Sequence, residues 1–139
     1  MPGEIPSEIY WLTLTAAFTV LLWMPYGYYR VSRTIPKIGF LRLAADPLPG
    51  DDPFEDSWAH RAYRTHMNAV ENLVVFAPLA LAVYVTGSSN EITAAASATY
   101  FWARLVHGVF YTVKVPFVRT IAWITGVGSC LVLAYQIIM

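Results

Sequence analysis

The sequence predicts an all-α integral membrane protein whose single domain is a bundle of four spanning helices, and three observations lead there. First, 57% of the 139 residues are hydrophobic and only 13% charged, about half the charged fraction of an ordinary soluble domain. Second, the apolar residues come in blocks. No Asp, Glu, Lys or Arg lies between Glu8 and Arg30, in 72–90, or in 120–139. Each block approaches the roughly 20 residues that cross about 30 Å of hydrocarbon as a helix. A further apolar stretch, 92–113, is interrupted only by Arg104 and His107. Third, the basic residues are segregated. Arg30, Arg33, Lys37, Arg42, Arg61 and Arg64 follow the first block, Lys114 and Arg119 flank the junction of the last two, and only Arg104 lies deep in a block. Because basic loops stay on the cytoplasmic side, both termini are expected outside and the long first loop inside. With a formal net charge of +0, the chain offers no nucleic-acid surface.

The first span is expected at about 8–29. Trp11 near one end and Trp23, Tyr26, Tyr28 and Tyr29 near the other suit the two membrane interfaces. Pro25 should kink this helix or unwind its end. The opening residues carry Glu4 and Glu8 but no Lys or Arg, and no small-x-small cleavage pattern follows, so the block reads as a helix of the mature protein rather than a signal peptide. Residues 32–57, with Pro36, Gly39, Pro47, Pro49, Gly50 and Pro53, read as a cytoplasmic loop. Within it, 38–43 is a short amphipathic piece suited to the membrane surface. The acidic residues Asp51, Asp52, Glu55 and Asp56 lack the ligand spacing of a calcium loop, so no metal site is expected.

Ser57 is a suitable N-cap for a second span over 58–86, longer than the bilayer requires, whose polar opening turns would project into the cytoplasm. A tight turn at 87–90 leads to a third span over 91–114. Pro116 suits the first turn of a fourth over 116–138. The single Cys130 lies within that last span, which excludes an intrachain disulfide and fits a small buried apolar role.

Polar residues inside these spans form stripes. On the second, Arg64, Asn68 and Glu71 share a helical face, with Asn72 adjoining and Arg61 beside them; on the third, Tyr100, Arg104, His107 and Tyr111 do the same. Arg119 opens the fourth span, with Trp123 one turn deeper. An ionisable residue within a span costs about 2.5 kcal/mol or more and faces a partner or a cavity. A Glu71–Arg104 pair would account for two of these groups structurally. Arg64, Arg104 and Arg119 nevertheless outnumber Glu71, and uncompensated buried positive charge is costly unless an anion binds. Guanidinium groups favour carboxylates and phosphates, so the stripes read as an anion pocket at the basic end of the bundle.

The runs Arg64-Thr65-His66-Met67-Asn68-Ala69-Val70-Glu71 and Arg104-Leu105-Val106-His107-Gly108-Val109-Phe110-Tyr111, followed by Arg119, resemble the MAPEG family of membrane-associated proteins in eicosanoid and glutathione metabolism. The likeness covers most of the chain and is strongest to bacterial members, which implies an inner-membrane location. It implies a homotrimer that binds glutathione as co-substrate between subunits near the cytoplasmic side and acts on a small lipophilic partner from the bilayer. Arg64, Asn68, Glu71, Arg104, His107 and Tyr111 would contact glutathione, and Arg119, beside the thiol, would be the catalytic residue. The sequence departs from the family where Asn72 and Leu73 replace a frequent aromatic, and where Trp123 replaces another. The implied activity is a glutathione-dependent transferase or peroxidase. The alternatives are a non-catalytic lipid- or thiol-binding protein and an accessory subunit of a larger membrane complex.

The charge asymmetry carries a topological expectation. A cysteine introduced at Gly50 should resist an impermeant thiol reagent in intact cells while one at Ser89 is labelled; the opposite pattern would invert the predicted orientation.

Overall fold

The computed structural model describes residues 4–45 and 54–139. Among them there is no strand: the helices are α1 (Ser7–Leu21), α2 (Met24–Tyr29), a π-helical turn (Arg30–Thr34), α3 (Ile35–Ile38), α4 (Phe40–Ala45), α5 (Ser57–Thr86), α6 (Glu91–Thr112) and α7 (Pro116–Ile138). Three helical stretches are long and apolar enough to cross a membrane: Ser7–Ile38, Ser57–Thr86 and Pro116–Ile138. α6 has 22 residues, a length of about 33 Å, but carries more polar groups.

Proline chemistry shapes the first stretch. Pro25 has no N–H to give the carbonyl of Leu21, so α1 ends there with the Leu22 N–H shared between Phe18 and Thr19 carbonyls, 3.2 Å from each. The chain returns at once to helix with Pro25 in the first turn of α2. Trp23 folds back over Gly27, where a Cβ would sit 2.5 Å from its ring. The expected loop over 32–57 therefore begins later. Pro36 occupies the first turn of α3, where its missing N–H costs nothing; the backbone widens into one π turn before it and stops at Gly39, φ +82°. The amphipathic piece expected at 38–43 appears as α4. The remaining loop prolines, Gly50, Asp51 and Asp52 lie outside the described residues.

α5 also begins differently from expectation. Asp56 is its extended N-cap, and Ser57 is the first helical residue, its Oγ accepting from Arg61 Nη1 at 3.1 Å. Arg61 Nε donates to the Thr112 carbonyl at 3.0 Å, placing a cation on the last turn of α6, where the helix dipole favours it. At the far end Gly87 takes φ +71° and Ser88 N–H reaches the Val83 carbonyl at 3.0 Å, closing α5. Asn90 then caps α6: its side chain accepts from Ile92 and Thr93 amides, while Thr93 Oγ1 accepts the Asn90 N–H at 2.8 Å.

α6 and α7 form the most extensive pair; α1 packs on α5 and α6, and α5 also touches α7. Small residues line these seams, among them Ala59, Ala62, Ala69 and Ala80 of α5 and Gly126 of α7, which lets backbones approach where no hydrophobic effect drives helices together. The apolar core, built on Phe76, Val83, Tyr100 and Leu133, occupies the half of the bundle nearer the chain ends. Phe76 and Tyr100 stack with ring centres 3.8 Å apart. Outside, Val74, Val85, Trp102, Ile121 and Leu131 are exposed, the surface hydrocarbon accepts.

At the end that holds both termini, Glu8 is buried and takes a 2.5 Å hydrogen bond from Thr93 Oγ1. Thr93→Val removes that donor and half of the α6 cap. Glu8 then keeps only the 3.4 Å hydrogen bond from Ser89 Oγ, and taking a hydrogen bond from a buried carboxylate costs about 1–3 kcal/mol. Thermal unfolding in detergent should register that loss, and adding Glu8→Leu should recover part of it, as double-variant coupling between contacting groups requires.

Candidate functional site

Besides Glu8 and Thr93 at the terminal end, a stripe of buried polar groups runs along α6 towards the basic end. On α6, Ser97, Tyr100, Arg104 and His107 are all buried, on a helical face turned inward. Arg104 is 3% exposed. Its Nη2 donates to Asn68 Oδ1 of α5 at 2.8 Å, while Nε and Nη1 have no hydrogen-bond partner among the described residues. The same holds for Tyr100 Oη, Ser97 Oγ and His107 Nδ1. Buried polar atoms in folded proteins are overwhelmingly paired; here the unpaired guanidinium nitrogens share one helical face with the unpaired Tyr100 hydroxyl and His107 ring nitrogen.

One turn towards the basic end the stripe opens. His107 and Tyr111 of α6 and Arg119, Thr120 and Trp123 of α7 line a cavity of about 190 Å³. The Arg119 guanidinium lies over the Tyr111 ring, 4.9 Å from its centre, a cation–π contact. The His107 and Tyr111 rings are 5.5 Å apart. Pro116 starts α7 and Lys114 takes φ +66° in the turn before it; this geometry swings Arg119 back onto Tyr111.

The structure thus brings together five of the seven expected residues in two touching groups: Asn68 with Arg104, and His107, Tyr111 and Arg119. It does not bring Arg64 or Glu71 into either. Both are exposed on the outward side of α5, beside Val70 and Val74. The Glu71–Arg104 pair is not formed, because Asn68 sits one turn nearer on the inward edge and takes the guanidinium instead. Among the described residues the ion pair is Lys37–Glu55, far from this stripe.

Sequence reading assigned no role to His66, although it lies within the motif on α5. Its Nδ1 is 2.7 Å from Tyr26 Oη, and the rings stack at 5.7 Å. Tyr26 thereby fastens α2 to the polar opening turns of α5, with Tyr63 and Phe54 around it. No spacing rule links residues 40 apart, so no local signal could have found that contact. Two larger apolar grooves, of about 480 and 510 Å³, run along the opposite side of the α6–α7 seam and contain none of the arginines.

No group of three or more His, Cys, Asp or Glu suited to a metal ion occurs among the described residues. The sequence model of the MAPEG family matches residues 9–139. No curated protein and no solved structure matches the chain.

Proposed function

The chain belongs to the MAPEG family, membrane proteins of glutathione and eicosanoid metabolism, and from that premise we propose that it is a glutathione-dependent transferase or peroxidase acting on lipophilic electrophiles. The observation that carries this reading is the buried Arg104 guanidinium with two orphaned nitrogens, one turn from a cavity roofed by Arg119. A multi-anionic, hydrogen-bonding tripeptide suits such a place; a neutral lipid does not.

The residues divide the work by chemistry. Asn68 holds Arg104 in one orientation, leaving its other nitrogens to a carboxylate. Tyr111 and His107 offer hydrogen bonds beside it. Arg119 is the catalytic residue. A free thiol has a pKa of about 8.5, so little thiolate exists at neutral pH. A guanidinium stays protonated and stabilises the anion without competing for its proton. The sulfur then bonds to an electrophilic carbon with departure of its leaving group, or to a peroxide oxygen with cleavage of the O–O bond.

The same reading takes α6 as a fourth span, puts both termini outside the cytoplasm, and makes the protein a homotrimer of the inner membrane. Support for a neighbour comes from size and charge. Ligand pockets usually enclose about 300–1,000 Å³, more than the 190 Å³ found here. Arg64 and Glu71 would complete the pocket if α5 of one subunit faced the cavity of the next.

Two measurements test this. Native mass spectrometry from detergent should give three times the 15.6 kDa chain mass; a stable monomer that binds glutathione fully would defeat the trimer. Arg119→Ala should lower turnover more than it weakens glutathione binding, and should move the thiolate absorbance of bound glutathione to higher pH. Arg64→Ala should weaken binding well over tenfold, since truncating one member of a desolvated charge pair costs about 2–5 kcal/mol, with turnover at saturation largely kept. A parent protein that binds glutathione but gives no thiolate signal would favour the non-catalytic alternatives.

A further inference from the structure

The cavity beside Arg119 has one wall that the thiol chemistry leaves unused. Trp123 follows Arg119 by one turn on the same face of α7 and lines the cavity with it. The other rings there are engaged. Tyr111 lies under the Arg119 guanidinium at 4.9 Å and meets the His107 ring at 5.5 Å. The Thr120 hydroxyl donates to the Pro116 carbonyl at 2.9 Å. The Trp123 indole has neither a ring contact nor a hydrogen bond among the described residues, and it is 42% exposed.

A tryptophan of a spanning helix ordinarily sits at the membrane interface. That explains Trp23 and Tyr28, exposed at the end of the first span. Trp123 lies about 10 Å along α7 from Pro116, inward of the basic turn and on a cavity beside a guanidinium. If the glutathione sulfur stands next to Arg119, the reacting atoms of an electrophile lie between that guanidinium and this indole. A flexible aliphatic chain gains only buried area from such a wall. A conjugated ring gains aromatic stacking as well. Arg119 is a donor only, so it suits a reaction that places negative charge on an oxygen. A cyclic enone or quinone combines the flat face with the acceptor oxygen.

We propose that Trp123 is a specificity-determining residue for the second substrate, and that the cavity takes a planar conjugated carbonyl ring of quinone type. The inference rests on the glutathione reading and adds the class of its electrophile. The thiolate sulfur bonds to a ring carbon, and the C=C pair shifts towards the carbonyl. Its oxygen gathers the negative charge beside Arg119, and the proton lost by the thiol ends on that oxygen. No leaving group has to escape, and no further reactant is needed.

Calorimetry on the purified full chain in detergent tests this without turnover, using glutathione, S-hexylglutathione and the glutathione thioether of menadione. The parent should bind the menadione thioether more tightly than the hexyl one. Trp123→Leu should lower that preference by about threefold to tenfold, the worth of one stacking contact, and Trp123→Phe should keep most of it. The quinone should also quench an indole emission in the parent that is absent from Trp123→Phe. A parent that binds glutathione but shows no preference overturns the inference and leaves the glutathione reading standing. A parent that binds none of the three ligands overturns both. A preference unchanged in Trp123→Leu overturns the inference, and so does equal fractional quenching in the parent and Trp123→Phe, whether or not the leucine variant folds.

Discussion

A guanidinium held inside a membrane bundle must be compensated from within, because hydrocarbon supplies neither hydrogen bonds nor counter-charge. Arg104 meets that constraint only in part. One nitrogen is satisfied by Asn68 and two are not. The surroundings follow from this placement: α5 brings an amide to its inward edge, α6 keeps hydroxyl and imidazole groups on the same face, and α7 passes Gly126 by, where a Cβ would lie 3.7 Å from the arginine's Cδ. The bundle is polar where Arg104 is, and its apolar core is displaced towards the chain ends.

That displacement divides stability from chemistry. Phe76, Val83, Tyr100 and Leu133 pack tightly in one half, and beyond them the Glu8–Thr93 contact ties α1 to the capped start of α6. At the basic end the helices are held by side chains reaching across: Arg61 to Thr112, and Tyr26 to His66. These contacts fasten α5 to α6 and to α2. Tyr100 belongs to both halves, its ring stacked on Phe76 and its hydroxyl among the orphaned donors, so packing in the core sets the height of the polar stripe.

Much of this was legible in the sequence, for physical reasons. Charge-free blocks of bilayer length fix long helices irrespective of detail. Polar residues recurring at three and four positions identify the face that cannot meet lipid, and α6 follows that pattern from Tyr100 to Tyr111. Three features were not legible. Pro25 read as a kink, and α1 does end at Leu21 before it, but Pro36 read as part of a loop; a proline in a first turn forfeits no bond, so helix resumes after each interruption and persists to Ile38. Asp56 rather than Ser57 precedes α5, a choice set by the chain's approach from outside the helix. Arg104 takes Asn68 and not Glu71, because one shared stripe on α5 still has an inner and an outer edge. Helical spacing alone does not say which edge a neighbour will meet.

The outer edge of α5 carries charges of its own. Glu71 and Arg64 are seven residues apart, two turns on one line, and both point away from their own bundle. Glu71 lies about fifteen residues into a helix of 30, well past the polar opening turns, among exposed valines. A charge facing lipid at such a depth would cost about 2.5 kcal/mol or more, with no gain to the single chain. Arg104 meanwhile presents positive charge inside the bundle and Arg119 at the α6–α7 cavity, and Glu71 pairs with neither within the same chain. One surface has an unmatched carboxylate and arginine, and another has unmatched donors. Joining those surfaces across copies of the chain would satisfy both, which is why the pocket is proposed as a property of the assembly and not of one subunit.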